Sequence, residues 1–169
     1  FGINGMGYKL DLQEIDRIID VVGKIAKDFG KINCLINNAY FGDKCSVQDV
    51  TLENWNKGLD GTITSAVFMV RECINYLERT KGSIINIASM YGIVSPDPDV
   101  YVNQDPSPMN YGIGKAAMIQ YTKYAAVHLA SKNIRVNAIS PGPFPNKKVQ
   151  KNKSFIRKLC EKVPLNRIG

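Results

Sequence analysis

Ser83-Ile-Ile-Asn-Ile-Ala-Ser89 decides the fold of this chain. Its isoleucines, flanked by small residues, have the composition of a strand buried in a parallel sheet. Lys81-Gly82 just before it reads as a turn. On both sides, short β-branched runs alternate with longer segments of helical period. Upstream, Ile32 to Ile36 is a compact apolar strand closed by the polar turn Asn37-Asn38, and Tyr8 to Asp11 reads as a further short strand.

Helices fill the intervals. After Leu12, the positions Ile15, Ile18, Ile19, Val22, Ala26 and Phe29 recur at helical spacing, and Gly30 is the stop. A long helix starts near Thr51, where Thr51-Leu-Glu-Asn54 suits an N-cap, and runs to about Arg79. Gly58 and Gly61 interrupt it, which predicts close packing against another backbone. Ser95 to Pro108 holds four prolines and three aspartates and reads as loop. Met109 to Ala130 is helical, Ile134 to Ile139 is a strand ending at Pro141-Gly142-Pro143, and Ser154 to Lys162 is a final helix. This order is the grammar of an α/β fold with a doubly wound parallel sheet of Rossmann type, one domain over residues 1–169. Such sheets bind ligands at the carboxyl ends of their strands. Asn37, Asn38, Ser89, Pro141 and Gly142 all stand at those ends.

Composition narrows the function. The net charge is +7, yet the lysines are dispersed except for Lys147, Lys148, Lys151 and Lys153. That cluster lies in a polar stretch with little aromatic interleaving, so it reads as a solvated or phosphate-attracting rim, and no nucleic-acid partner is expected. No apolar run approaches the roughly 20 residues that cross a bilayer, and no membrane partner is expected. The opening residues show no secretory leader pattern. Cys34, Cys45, Cys73 and Cys160 form no CxxC pair and, with the lone His128, supply no zinc set. No metal is expected, and free thiols fit a cytoplasmic protein.

The chemistry points to Tyr111-Gly-Ile-Gly-Lys115. In a helix, Tyr111 and Lys115 share a face. A phenol titrates near 10, and a neighbouring ammonium favours its phenolate, which makes a usable general acid/base. The two intervening glycines are expected to leave room for a flat ligand. Asn86-Ile-Ala-Ser89 places a hydroxyl at the sheet's carboxyl edge, Asn37-Asn38-Ala39 ends another strand there, and Ile134-Arg-Val-Asn-Ala-Ile-Ser-Pro-Gly142 follows one crossover later.

With those four elements in order, the chain resembles the classical short-chain dehydrogenase/reductase family over nearly its whole length. Lys9-Leu-Asp-Leu12 and Pro164-Leu-Asn-Arg-Ile-Gly169 extend the match. The resemblance implies an NAD- or NADP-dependent oxidoreductase acting on a carbonyl or secondary alcohol. Tyr111 would exchange the substrate proton, Lys115 would hold the nicotinamide ribose, and Ser89 would bond the substrate oxygen. Asp11 and Leu12 would border the adenine, Asn37 and Ala39 the cofactor's middle, and Pro141, Gly142 and Phe144 the carboxamide. A homodimer or homotetramer is also implied.

Several positions depart from the family. Tyr40 stands where a glycine is usual, and either crowds the cofactor or, as the favoured expectation, turns outward. Thr62 replaces the relay asparagine, and Asn146 stands in place of a carboxamide-contacting threonine. Ser89 and Tyr111 are 22 positions apart, more than usual, because of the Ser95 to Ser107 loop. That loop reads either as an inert surface insertion or as a wall of the substrate site. Its Asp97, Asp99 and Asp105 hint at a sugar derivative, as in relatives from surface-carbohydrate pathways. Gly2-Ile-Asn-Gly5-Met-Gly7 has the wrong spacing for the family's phosphate loop and leads into no helix. The given chain is therefore expected to lack N- and C-terminal parts of a longer polypeptide. Two other readings stand beside the enzyme: a non-catalytic binding relative, and an extended-branch nucleotide-sugar epimerase or dehydratase.

Overall fold

The computed structural model describes residues 5–102 and 105–169. Gly2 to Asn4, and Asn103 and Gln104 of the long loop, lie outside the described residues. Three strands, β1 (Cys34–Asn37), β2 (Ser83–Ile87) and β3 (Arg135–Ile139), form a parallel sheet in the order β1-β2-β3. In register, Ile36 stands beside Ile85, which stands beside Asn137. The crossovers run through α2 (Leu52–Leu59) and α3 (Ser65–Thr80), and through α4 (Met109–Leu129); α1 (Ile18–Phe29) precedes β1, and α5 (Lys153–Glu161) follows β3.

The core explains the layering. Leu35, Ile84 and Val136 share one sheet face and bury against Val70 and Leu77 of α3, Ala125 and Leu129 of α4, and Ile18 and Val22 of α1. Among the described residues nothing covers the opposite face, where Ile36 is 59% exposed, so the burial of β2 alternates within this chain. Helix ends follow local chemistry. Gly30 closes α1 in the left-handed region at φ 73°, which a glycine adopts without a Cβ penalty. Thr51 caps α2 by accepting from Asn54 N at 3.2 Å.

The predicted long helix is interrupted by a π turn at Asp60–Thr64. A Cβ on Gly61 would fall 1.7 Å from the Phe41 carbonyl oxygen, and one on Gly58 would fall 2.0 Å from Asn110 Nδ2. Gly61 thus marks the close backbone approach that the sequence predicts, whereas Gly58 makes room for the Asn110 side chain. Tyr8 to Asp11 pairs with no strand among the described residues. It is held by side chains instead: Tyr8 donates to Asp28, and Leu10 and Leu12 pack on the main core.

Candidate active site

Ser89 follows β2 with extended backbone and caps the 3₁₀ turn Met90–Gly92. Its Oγ accepts from Tyr91 N at 3.1 Å, which leaves the hydroxyl proton to donate elsewhere. The turn is pinned to the neighbouring strand, with Ala88 N bonded to Ile139 O and Met90 N to Pro141 O. Ser89 is 8% exposed, so little water competes for its hydroxyl.

Tyr111 and Lys115 lie in the first two turns of α4. Two contacts fix this end of the helix. Met109 N donates to Cys45 O at 2.9 Å, and the buried Asn110 donates through Nδ2 to Asn54 O at 2.6 Å. Lys115 is buried, and its Nζ donates to Ile87 O at 2.5 Å, at the last residue of β2. The same Nζ stands 5.6 Å from the centroid of the Tyr111 ring. Burial holds the ammonium below the ordinary lysine value.

The glycines of Tyr111-Gly-Ile-Gly-Lys115 do not make room for a ligand. A Cβ on Gly114 would strike Thr62, and one on Gly112 would lie 3.0 Å from Tyr91 O. Their missing side chains let α4 approach the π turn and the Ser89 turn, which is why the spacing misleads.

Ser89, Tyr111 and Lys115, supplied by two separate elements, open on one cleft of about 750 Å³ beyond the carboxyl ends of the strands. Pro141, Gly142 and Phe144 line its far side. At the end of β1 it is Asn38 and Tyr40 that reach the cleft, while Ala39 is exposed and Asn37 turns into the sheet, donating to Asn86 Oδ1 at 2.8 Å. Asp11 and Leu12 are not brought to the cleft. Asp11 accepts from Gln13 N, and Leu12 packs on the main core.

The departures resolve differently. Tyr40 does not turn outward: its ring lies edge-to-face on Tyr111, with centroids 4.8 Å apart. Thr62, 1% exposed, bonds back to Gly58 O at 2.7 Å inside the π turn. Asn146 lines the cleft but uses its Oδ1 to cap the turn at Val149. The long loop is a wall and not an inert insertion. Val100 is buried with Phe155 and Leu159 of α5, and Tyr101 meets Phe155 edge-to-face with centroids 5.2 Å apart. Asp97 pairs with Lys162 on that outer side, and only Asp105 of the three aspartates reaches the cleft.

Sequence reasoning missed Asn110, Asn86 and the Tyr91–Tyr101 hydroxyl pair, which are hydrogen-bonded at 2.5 Å. Asn86, wholly buried, links Asn37 to Thr122 and so ties β1, β2 and α4 together. Its signal was an amide inside an otherwise apolar strand, which burial tolerates only when hydrogen-bonded.

A family model described as enoyl-(acyl carrier protein) reductase matches residues 2–169. The 3-oxoacyl-[acyl-carrier-protein] reductase FabG of Thermotoga maritima is 29% identical over 164 residues, covering 96% of this chain and 63% of that protein. An NAD+-bound xylitol dehydrogenase superposes with a TM-score of 0.82 at 30% identity, over 96% of this chain and 66% of that one. ElxO with NADP bound superposes with a TM-score of 0.81 at 26% identity, over 96% and 64%. The chain thus spans less than two-thirds of the length of these relatives.

Proposed function

Since the chain belongs to the classical short-chain dehydrogenase/reductase family, we propose that it carries the catalytic site of an NAD- or NADP-dependent oxidoreductase acting on a carbonyl or secondary alcohol. The observation that supports this most is the convergence of Ser89, Tyr111 and Lys115 on one cleft at the strands' carboxyl ends.

The donor set fits a nicotinamide ribose. Lys115 spends one N–H on Ile87 O and keeps two for ribose hydroxyls. Pro141, Gly142 and Phe144 would flank the carboxamide, and Asn37 and Ala39 would border the cofactor's middle. Asp11 and Leu12 are assigned to the adenine end by resemblance alone. When bound, the nicotinamide supplies or accepts the hydride; the chain supplies position and a proton. In the reducing direction, Ser89 donates its free hydroxyl proton to the carbonyl oxygen and favours the charge that develops there. Tyr111 then transfers its phenolic proton to that oxygen, and the buried ammonium of Lys115 steadies the phenolate left behind.

The substrate is a small carbonyl or alcohol with an apolar or aromatic body, matched to Met90, Tyr91, Tyr101, Phe155 and Leu159 on the cleft wall. A sugar derivative would rest on Asp105, because the Asp97 carboxylate pairs with Lys162 and Asp99 does not line the cleft. A cytoplasmic homodimer or homotetramer completes the reading. No described helix is long and apolar enough to cross a membrane.

The test is NAD(P)H oxidation by the full-length enzyme against a carbonyl panel, with Tyr111→Phe alongside. Loss of about 10²-fold or more in kcat is expected for the variant. Undiminished turnover would remove the assignment of Tyr111.

A further inference from the structure

Tyr111 stands half-buried on α4, outside the apolar cores. Its hydroxyl makes no hydrogen bond among the described residues, and its ring belongs to none of the buried apolar clusters. The Lys115 ammonium stands 5.6 Å from its ring centroid, and the ring of Tyr40 is centred 4.8 Å away at an interplanar angle of 74°. Tyr40 has no role in the cores either. It is 41% exposed and lines the cleft beside Tyr111.

The backbone that carries Tyr40 is itself anchored. The next residue, Phe41, lays its carbonyl on the π turn where Gly61 lacks a side chain, at 1.7 Å from where a Cβ would stand. An aromatic ring is thus held on a fixed strand-to-helix connection and pressed edge-to-face on the phenol assigned to proton transfer, a geometry that aromatic pairs favour.

We propose that Tyr40 is a positioning residue whose ring braces the Tyr111 phenol from the mouth of the cleft. This rests on the proton-transfer reading of Tyr111. The brace works through ring contact, so its hydroxyl is dispensable. Burial and the nearby Tyr111 both raise the Tyr40 phenol above its ordinary value, which keeps it neutral while Tyr111 changes charge.

The test compares Tyr40→Phe, which keeps the ring, with Tyr40→Leu, which removes it, in the full-length enzyme labelled with 3-fluorotyrosine. The Tyr111 fluorine signal is identified by its disappearance in Tyr111→Phe. In Tyr40→Leu, the signal is expected to move toward its solvent-averaged position, and kcat to fall about 3- to 10-fold while the KM for NAD(P)H changes little. Tyr40→Phe is expected to restore both readouts. An unmoved Tyr111 signal in Tyr40→Leu would overturn the brace, as would an equal loss in Tyr40→Phe. The fluorine signal reports the brace even if the wild type turns over no carbonyl, an outcome that would count against the proposed function alone.

Discussion

Gly114 lies so close to Thr62 that a Cβ built on the glycine would fall 1.8 Å from the threonine hydroxyl oxygen. The hydroxyl cannot yield easily, because it is buried and bonded to Gly58 O inside the π turn. This contact sets how near α4 stands to the π turn, and Tyr111 and Lys115 flank Gly114 on that helix. Gly114→Ala should therefore destabilise the fold by about 1–3 kcal/mol, the usual cost of overpacking. Urea unfolding checks this, and a midpoint equal to that of the wild type would mean that the contact relaxes freely.

Asn110 gives a second handle on the same helix. It is wholly buried, its Nδ2 bonds Asn54 O, and its Oδ1 has no partner among the described residues. Asn110→Ala should cost about 1–3 kcal/mol through the lost bond and the space left behind. Gly58→Ala should push the same amide off Asn54 without altering it, since the added Cβ would lie 2.0 Å from Nδ2. Thermal unfolding of both variants is the measurement. If Gly58→Ala melts with the wild type, the two helices are not docked through this pair.

The parallel sheet and its helices were legible because periodicity is a local property of the chain, whereas Ser89, Tyr111 and Lys115 were picked out as a set by family resemblance. What escaped depends on contacts between distant segments. The glycines at 112 and 114 look like space for a ligand until Tyr91 and Thr62 are seen filling it. Tyr8 to Asp11 has strand composition, but no strand among the described residues pairs with it. Asp97 looks like a substrate ligand until Lys162, 65 positions later in the chain, takes its carboxylate at 2.8 Å. Tyr40 reads as a misfit at a glycine position, and only the fold shows which ring it meets.

The outer wall of the cleft should behave as a unit that opens separately from the sheet. Val100, Phe155 and Leu159 form their own small cluster, apart from the main core. The Asp97–Lys162 pair over it is exposed and screened by solvent, so the apolar contacts hold the wall. Phe155→Ala should raise the KM for the carbonyl substrate and speed amide exchange in Ser95–Val100 and α5, while β2 keeps its protection. Equal acceleration in β2 would show that wall and sheet open together.

Lys115 makes the stability depend on pH in a direction that can be worked out. Burial lowers its folded value below the ordinary lysine value of about 10.4. Between those two values the unfolded chain binds more protons than the folded one, so stability rises with pH across that window. Below it, the protein carries the cost of a buried ammonium that has a single carbonyl acceptor at 2.5 Å among the described residues. Lys115→Met removes the charge and keeps most of the volume. The unfolding free energy of the wild type minus that of Lys115→Met should therefore increase with pH as about 10.4 is approached from below, and level off above it. Taking the difference cancels the tyrosines and cysteines that titrate in the same range. Urea unfolding at stepped alkaline pH measures it; a difference that stays flat or falls would mean that the ammonium is solvated and not buried. The same variant separates the two duties of Lys115. Lost cofactor affinity would report its hold on the ribose, and lost kcat at saturating cofactor its effect on Tyr111.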